Sequence, residues 1–149
     1  MPDEILSSDA FRGAIRGDPT DQSVTRIAFR ILHGELIRRL AAGRSAVIDA
    51  TNLTRHSRAA IVRRVAPFRV PAVAIVLVPP PGVVHARNGA RTVGRVPAEI
   101  VDRQLAAATA LGIDRAAIVA RLLSEGFAAV NVLSSATEID RVDVERVSR

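Results

Sequence analysis

Residues 4–13 read EILSSDAFRG: a short apolar run, two serines, Asp9, and Arg12 three positions on. The run from residue 4 to 8 predicts a strand. A carboxylate just past a strand end can accept the proton of an attacking hydroxyl, and a nearby arginine can clamp a phosphate with two parallel N–H groups. The commoner role of a serine or aspartate here is to cap the following helix, and spacing alone favours Ser8 or Asp9 as a cap.

Downstream, short β-rich runs alternate with long helical patterns, which predicts an α/β fold with a mainly parallel sheet. A helix is expected from Ser23 to Ala42, with apolar residues at three- and four-residue spacing and Gly43 as its stop. SAVIDATN (45–52) is the next strand, apolar enough to be covered on both faces. LTRHSRAAIVRRVAPF reads as a helix, PAVAIVLV as a strand, and PPGVVHARNGAR and VPAEIVDRQLAAATAL as helices with proline near their starts. Asp114 is placed to cap another helix through Leu123, and EGFAAVNVLSS supplies a glycine stop and the last strand. The tail ATEIDRVDVERVSR is polar and expected to be only partly ordered. No repeat or linker divides the chain, so one domain is expected over its 149 residues.

Composition narrows the function classes. With 48% hydrophobic and 24% charged residues the chain is a globular protein. Its apolar runs are broken by prolines, so no membrane span is expected, and the acidic start does not read as a leader. There is no cysteine, hence no disulfide or thiolate metal site, and cytoplasm is the expected location. The net charge of +6 comes from arginine alone, since the chain has no lysine. That excludes a G-x-x-x-x-G-K-[ST] phosphate loop within these residues. Excess positive charge fits a phosphate-rich ligand or nucleic acid, although surface arginine is common without either.

Two further constellations fall where ligands sit in parallel α/β sheets, at the carboxyl ends of strands. VIDATN ends a hydrophobic strand in Asp49, followed by Thr51 and Asn52. An aspartate so placed can orient magnesium or its waters, and all three residues also suit a helix start. Arg87, Arg91 and Arg95 recur every four residues, and stack on one face if the helix continues that far. A polyanion would relieve their mutual repulsion, while a solvated basic face is an equally good reading. The histidines His33, His56 and His85 lack ligand-like spacing, and the four phenylalanines are too dispersed for a base-stacking platform.

Taken in order, EILSSDAFRG, DQSVT, VIDATN, ARNGAR, VDRQ and EGFAAVNVLSS resemble the kinase domain of bacterial polynucleotide kinase–phosphatases, a branch of the P-loop phosphotransferases. The resemblance implies a P-loop NTPase-type three-layer sandwich and transfer of the γ-phosphate of ATP, with magnesium, to a nucleic-acid 5′-hydroxyl. It implies Asp9 as general base, Arg12 on the acceptor phosphate with Ser8, Gln22 and Asn52 beside it, and Asp49 near the metal. It puts Arg87 and Arg91 on the donor phosphates as catalytic residues, with Arg95 beside them. One departure stands in the arginine segment: the family's second lid arginine falls where this chain has Gly94, next to Arg95.

The larger departure is at the front, where the family's first strand, phosphate loop and first helix have no counterpart. The expectation is therefore an N-terminally incomplete kinase domain, inactive as these 149 residues, completed by a missing segment or a partner chain. The alternatives are a non-catalytic phosphate or nucleic-acid binding remnant, or a kinase for a small-molecule hydroxyl. In that family the missing strand is the central one. Its loss would leave SAVIDA and PAVAIVLV with unpaired edges, seen either as a gap in the sheet or as a strained direct pairing.

Overall fold

The computed structural model describes residues 4–142. Among the described residues, four strands and seven α-helices follow one another as β1 (Ile5–Ser7), α1 (Ser8–Arg16), α2 (Thr25–Ala41), β2 (Val47–Asp49), α3 (Arg55–Val65), β3 (Val73–Leu77), α4 (Pro81–Gly89), α5 (Ala98–Thr109), α6 (Arg115–Ser124), β4 (Ala129–Leu133) and α7 (Ala136–Arg141). Short 3₁₀ turns at Gln22–Val24 and Ala66–Phe68 lead into α2 and out of α3.

All strand pairing is parallel, as expected for strands joined through helices. It forms two separate ladders: Ile5–Ser7 on Val47–Asp49, and Val73–Leu77 on Ala129–Leu133. Among the described residues β2 pairs with β1 alone and β3 with β4 alone, so each has one edge without a strand partner. The sheet is interrupted between β2 and β3, and no strained direct pairing closes it.

Each ladder has its own core. Leu6, Leu32, Leu36, Ile61 and Val65 bury together under β1, α2 and α3, with Ile48 and Phe11 packed against them. Leu111, Ile118, Leu122 and Val132 form the second, which covers Ala74 and Val76 of β3. The alternate residues of β3 have no such cover: Val73, Ile75 and Leu77 are 52, 51 and 54% exposed. Strand side chains alternate between faces, so these three mark one unpacked apolar face.

Local stops follow the sequence closely in places and depart from it in others. Gly43 and Gly126 adopt φ of +68° and +102°, just past α2 and α6. Asp114 caps α6 by accepting from the Ala117 N–H at 2.8 Å. The cap of α1, however, is Ser7 rather than Ser8 or Asp9. Helix α4 ends at Gly89, so Arg91 and Arg95 lie in the following loop and the three arginines do not share a helical face. The polar tail is ordered at its start, where Ser135 and Glu138 form a reciprocal capping box for α7; residues 143–149 lie outside the described residues.

Candidate functional site

The break in the sheet is a trough of about 2250 Å³ between the ladders, walled by both cores. Small-molecule pockets usually measure about 300–1,000 Å³. This one is larger than that. The carboxyl ends of the strands meet its rim: Asp9 beyond β1, Asp49 to Leu53 beyond β2, Val78 to Pro81 beyond β3, and Ser134 beyond β4.

Asp9 stands in the first turn of α1 with its side chain 63% exposed. Its Oδ1 is held by the Nη2 of Arg12 and accepts from the Ser8 hydroxyl at 3.1 Å. Arg12 is buried, and its Nε donates to the Pro19 carbonyl at 2.7 Å. One guanidinium therefore joins the aspartate to the 17–22 loop. That loop is internally braced. Asp18 accepts from the backbone N–H and the hydroxyl of Thr20, and Asp21 from the Ser23 N–H. Both carboxyls lie below their ordinary range, chiefly through the hydrogen bonds of Thr20 and Ser23 respectively. Gln22 points along the same loop, its amide donating to the Thr20 carbonyl at 3.2 Å.

The arginine loop approaches from the other half of the molecule. Asn88, at the end of α4, brackets Val96: its Nδ2 donates to the Val96 carbonyl at 2.7 Å, and its Oδ1 accepts the Val96 N–H at 3.0 Å. Residues 90–95 are folded into a closed loop by this pair of bonds. Gly94 turns at φ +70°, and a Cβ there would sit 4.0 Å from the Thr20 methyl. Arg91 Nη1 reaches the Gly94 carbonyl at 3.4 Å. The turn of the loop carrying Arg91 is thus near Thr20, on the loop that Arg12 holds. Neither Arg87, Arg91 nor Arg95 lines the trough among the described residues. Arg87 pairs instead with Asp140 on α7, and Arg95 lines a small cavity of about 390 Å³ with His85, Asn88 and Pro97.

At the β2 rim, Asp49 and Asn52 both face the trough. Asn52 has φ +42°, and its Oδ1 is buried without a hydrogen-bond partner. On the opposite side Glu138 accepts from the backbone N–H groups of Ser134 and Ser135, which with Arg115 hold its carboxyl down at about 2. The described residues contain no cluster of three metal-ligating side chains. Asp49 suits one carboxylate of a hydrated magnesium site and does not make a cage alone. Nor do the residues present fit the triphosphate of ATP, since there is neither a glycine-rich cradle nor a lysine.

The sequence drew attention to the residues at strand ends and missed those that arrange them. Asn88 and Arg58 lie mid-pattern on helices, where only the fold shows what they reach. The left-handed backbone of Asn52, a residue the strand-end pattern already picks out, is likewise visible only in the fold.

Parallel strands crossed by helices, with acids at the strand ends, are consistent with a P-loop NTPase-like α/β protein. The chain belongs to the AAA domain family, whose model matches residues 1–111, from the N-terminus through α5. No curated protein compared with the chain matches it. No helix among the described residues is long and apolar enough to cross a membrane.

Proposed function

We propose that the chain carries the acceptor and lid parts of an ATP-dependent polynucleotide 5′-hydroxyl kinase, and that a strand–loop–helix element outside these 149 residues fills the trough and supplies the phosphate cradle. One observation carries this reading. Asp9, Arg12 and the 17–22 loop are bonded into one unit, and the turn of the Arg91 loop at Gly94 comes near Thr20 of that unit.

Asp9 takes the proton of the attacking 5′-hydroxyl, and Ser8 and Arg12 fix the direction of its carboxylate. General-base help of this kind contributes about 10²–10⁴-fold. Arg91 and Arg95 fold over the acceptor, where guanidinium forks neutralise charge on the transferring phosphoryl group. Arg87 joins them when it leaves Asp140. A central strand in the trough would satisfy the free edges of β2 and β3, and its helix would cover Val73, Ile75 and Leu77. Burying the exposed apolar side chains of β3 would favour this docking.

The test compares the chain alone with the chain fused at its N-terminus to a strand–GxxxxGK[ST]–helix segment, using labelled ATP and a single-stranded oligonucleotide with a 5′-hydroxyl. The chain alone should transfer no phosphate. The fusion should transfer it, and Asp9→Asn should abolish the transfer. Phosphorylation by the chain alone would defeat the proposal. So would a folded fusion that phosphorylates small hydroxyl compounds and ignores the oligonucleotide. Salt-sensitive oligonucleotide binding without transfer in any form would favour a non-catalytic binding module.

A further inference from the structure

Arg58 lies where three segments meet. Its Nη1 donates to the carbonyls of Asn52 and Leu53 at 3.1 and 2.7 Å, while Nε and Nη2 donate to the two oxygens of Glu125 at 2.6 and 2.8 Å. The two side chains are only 7 and 6% exposed. Glu125 belongs to the turn between α6 and β4, 67 positions along the chain. The planar fork of arginine is suited to this; a lysine point charge could not serve both segments in this way.

A buried ion pair is a poor device for stability alone, because apolar residues of the same volume do as well or better. Neither hydrophobic core includes Arg58 or Glu125. What the pair does hold is the backbone just after Asp49. There Asn52 is kept at φ +42° with a buried, unpartnered Oδ1 at the edge of the trough. An unusual backbone angle persists where the surroundings over-determine it. Here the surroundings are the Arg58 guanidinium, anchored in turn by the opposite half of the molecule.

We propose that Arg58 is a positioning residue: by gripping the carbonyls of Asn52 and Leu53 it presents the Asn52 carboxamide to the 5′ end of a single-stranded nucleic acid. Glu125 fixes the guanidinium for that task. The choice of ligand rests on the kinase reading above; the positioning of the 50–54 loop does not.

The experiment uses the full chain with two readouts. Fluorescence anisotropy measures affinity for a short single-stranded oligonucleotide bearing a 5′-hydroxyl, and amide hydrogen exchange measures protection of residues 50–54. The double variant Arg58→Met/Glu125→Leu replaces the ion pair by apolar volume and should keep the thermal midpoint. It should still bind about tenfold more weakly, the upper end of the scale for a hydrogen bond between neutral groups. Asn52→Ala should lose a similar factor, and combining all three changes should lose no more than either, since both act through one group. Arg58→Lys should recover part of the affinity, and Glu125→Gln should fall between it and the wild type.

Wild-type affinity in the apolar-pair variant would overturn the proposal, as would multiplicative losses in the triple variant. If the wild-type chain binds no oligonucleotide, the kinase reading fails, and exchange at 50–54 then decides the matter for Arg58 by itself. Faster exchange there in the apolar-pair variant, with α3 unchanged, supports positioning; unchanged exchange refutes it. Should that variant not fold, Arg58→Lys and Glu125→Gln carry the same comparisons.

Discussion

Arg87 Nη2 donates to both carboxylate oxygens of Asp140, at 2.7 and 2.9 Å. The two residues are 53 positions apart, and the bond fastens α4 to α7. An arginine expected on donor phosphates is thus occupied by a carboxylate. Both side chains are about half exposed, and pairs of that kind are worth about 0–1 kcal/mol. A polyphosphate offers more charge and should displace Asp140. Replacing Asp140 by alanine should therefore tighten tripolyphosphate binding by about two- to fivefold, a gain of under 1 kcal/mol. Titration calorimetry at low salt measures it. Equal or weaker binding would show that Arg87 does not meet phosphate.

Much of this architecture is written in local pattern. The periodicity of α2, the proline starts of α4 and α5, the Asp114 cap and the glycine stops are decided within a few residues of themselves. The free edges of β2 and β3 match the gap in the sheet that the resemblance led one to expect. Where local pattern does not decide the outcome, the cause lies at a distance. A helix continuing through Arg91 looked reasonable from spacing, yet Asn88 spends both ends of its amide on Val96 and turns the chain back. Ser7 displaced Ser8 and Asp9 as the cap because the strand stops one residue early, leaving Asp9 free for Arg12. No sequence pattern announces that Arg58 reaches Glu125.

The Asn88 bracket can be tested by proteolysis. Asn88→Ala removes both bonds to Val96 and opens the loop that carries Arg91 and Arg95. Trypsin cleaves after arginine and needs an extended, mobile segment. Cleavage after Arg91 and Arg95 should rise about tenfold or more, as expected from the loss of two partly buried hydrogen bonds at about 0.5–1.5 kcal/mol each. Cleavage after Arg38, inside α2, serves as the control and should not change. Equal cleavage of variant and wild type in the loop would mean that Asn88 does not hold it.

Separate cores imply separate responses to damage. Leu32 and Leu122 are the fully buried apolar side chains at the centres of the two clusters. Truncating either to alanine should cost about 2–5 kcal/mol. With the sheet interrupted, the loss should stay on its own side. Leu32→Ala should speed amide exchange in α1, α2 and α3 and leave β3, β4 and α6 protected; Leu122→Ala should do the reverse. Uniform loss of protection from one substitution would show that the ladders unfold as one unit. Filling the trough should convert the local pattern into a uniform one, because a central strand would join the cores.

His33 provides the acid-sensitive point of α2. Its Nε2 is buried without a hydrogen-bond partner, and its ring lies 5.9 Å from that of Phe29. Burial lowers its pKa below the ordinary 6.5, and the nearby Arg64 charge acts in the same direction. The folded state therefore prefers the neutral ring, while the unfolded chain takes up a proton near the usual histidine pKa. Below that value the unfolded state binds more protons, so stability falls as pH drops. The contribution is whole above about pH 6.5 and is lost progressively through the folded-state value, below which it changes no further. Glu138, with its carboxyl at about 2, contributes a separate loss between about pH 4.5 and 2. Replacing His33 by leucine should remove the upper of these two steps and leave the lower one. Urea midpoints measured from pH 7.5 down to pH 5 decide it: the wild type should weaken across this range relative to His33→Leu, and parallel curves would place the titration elsewhere.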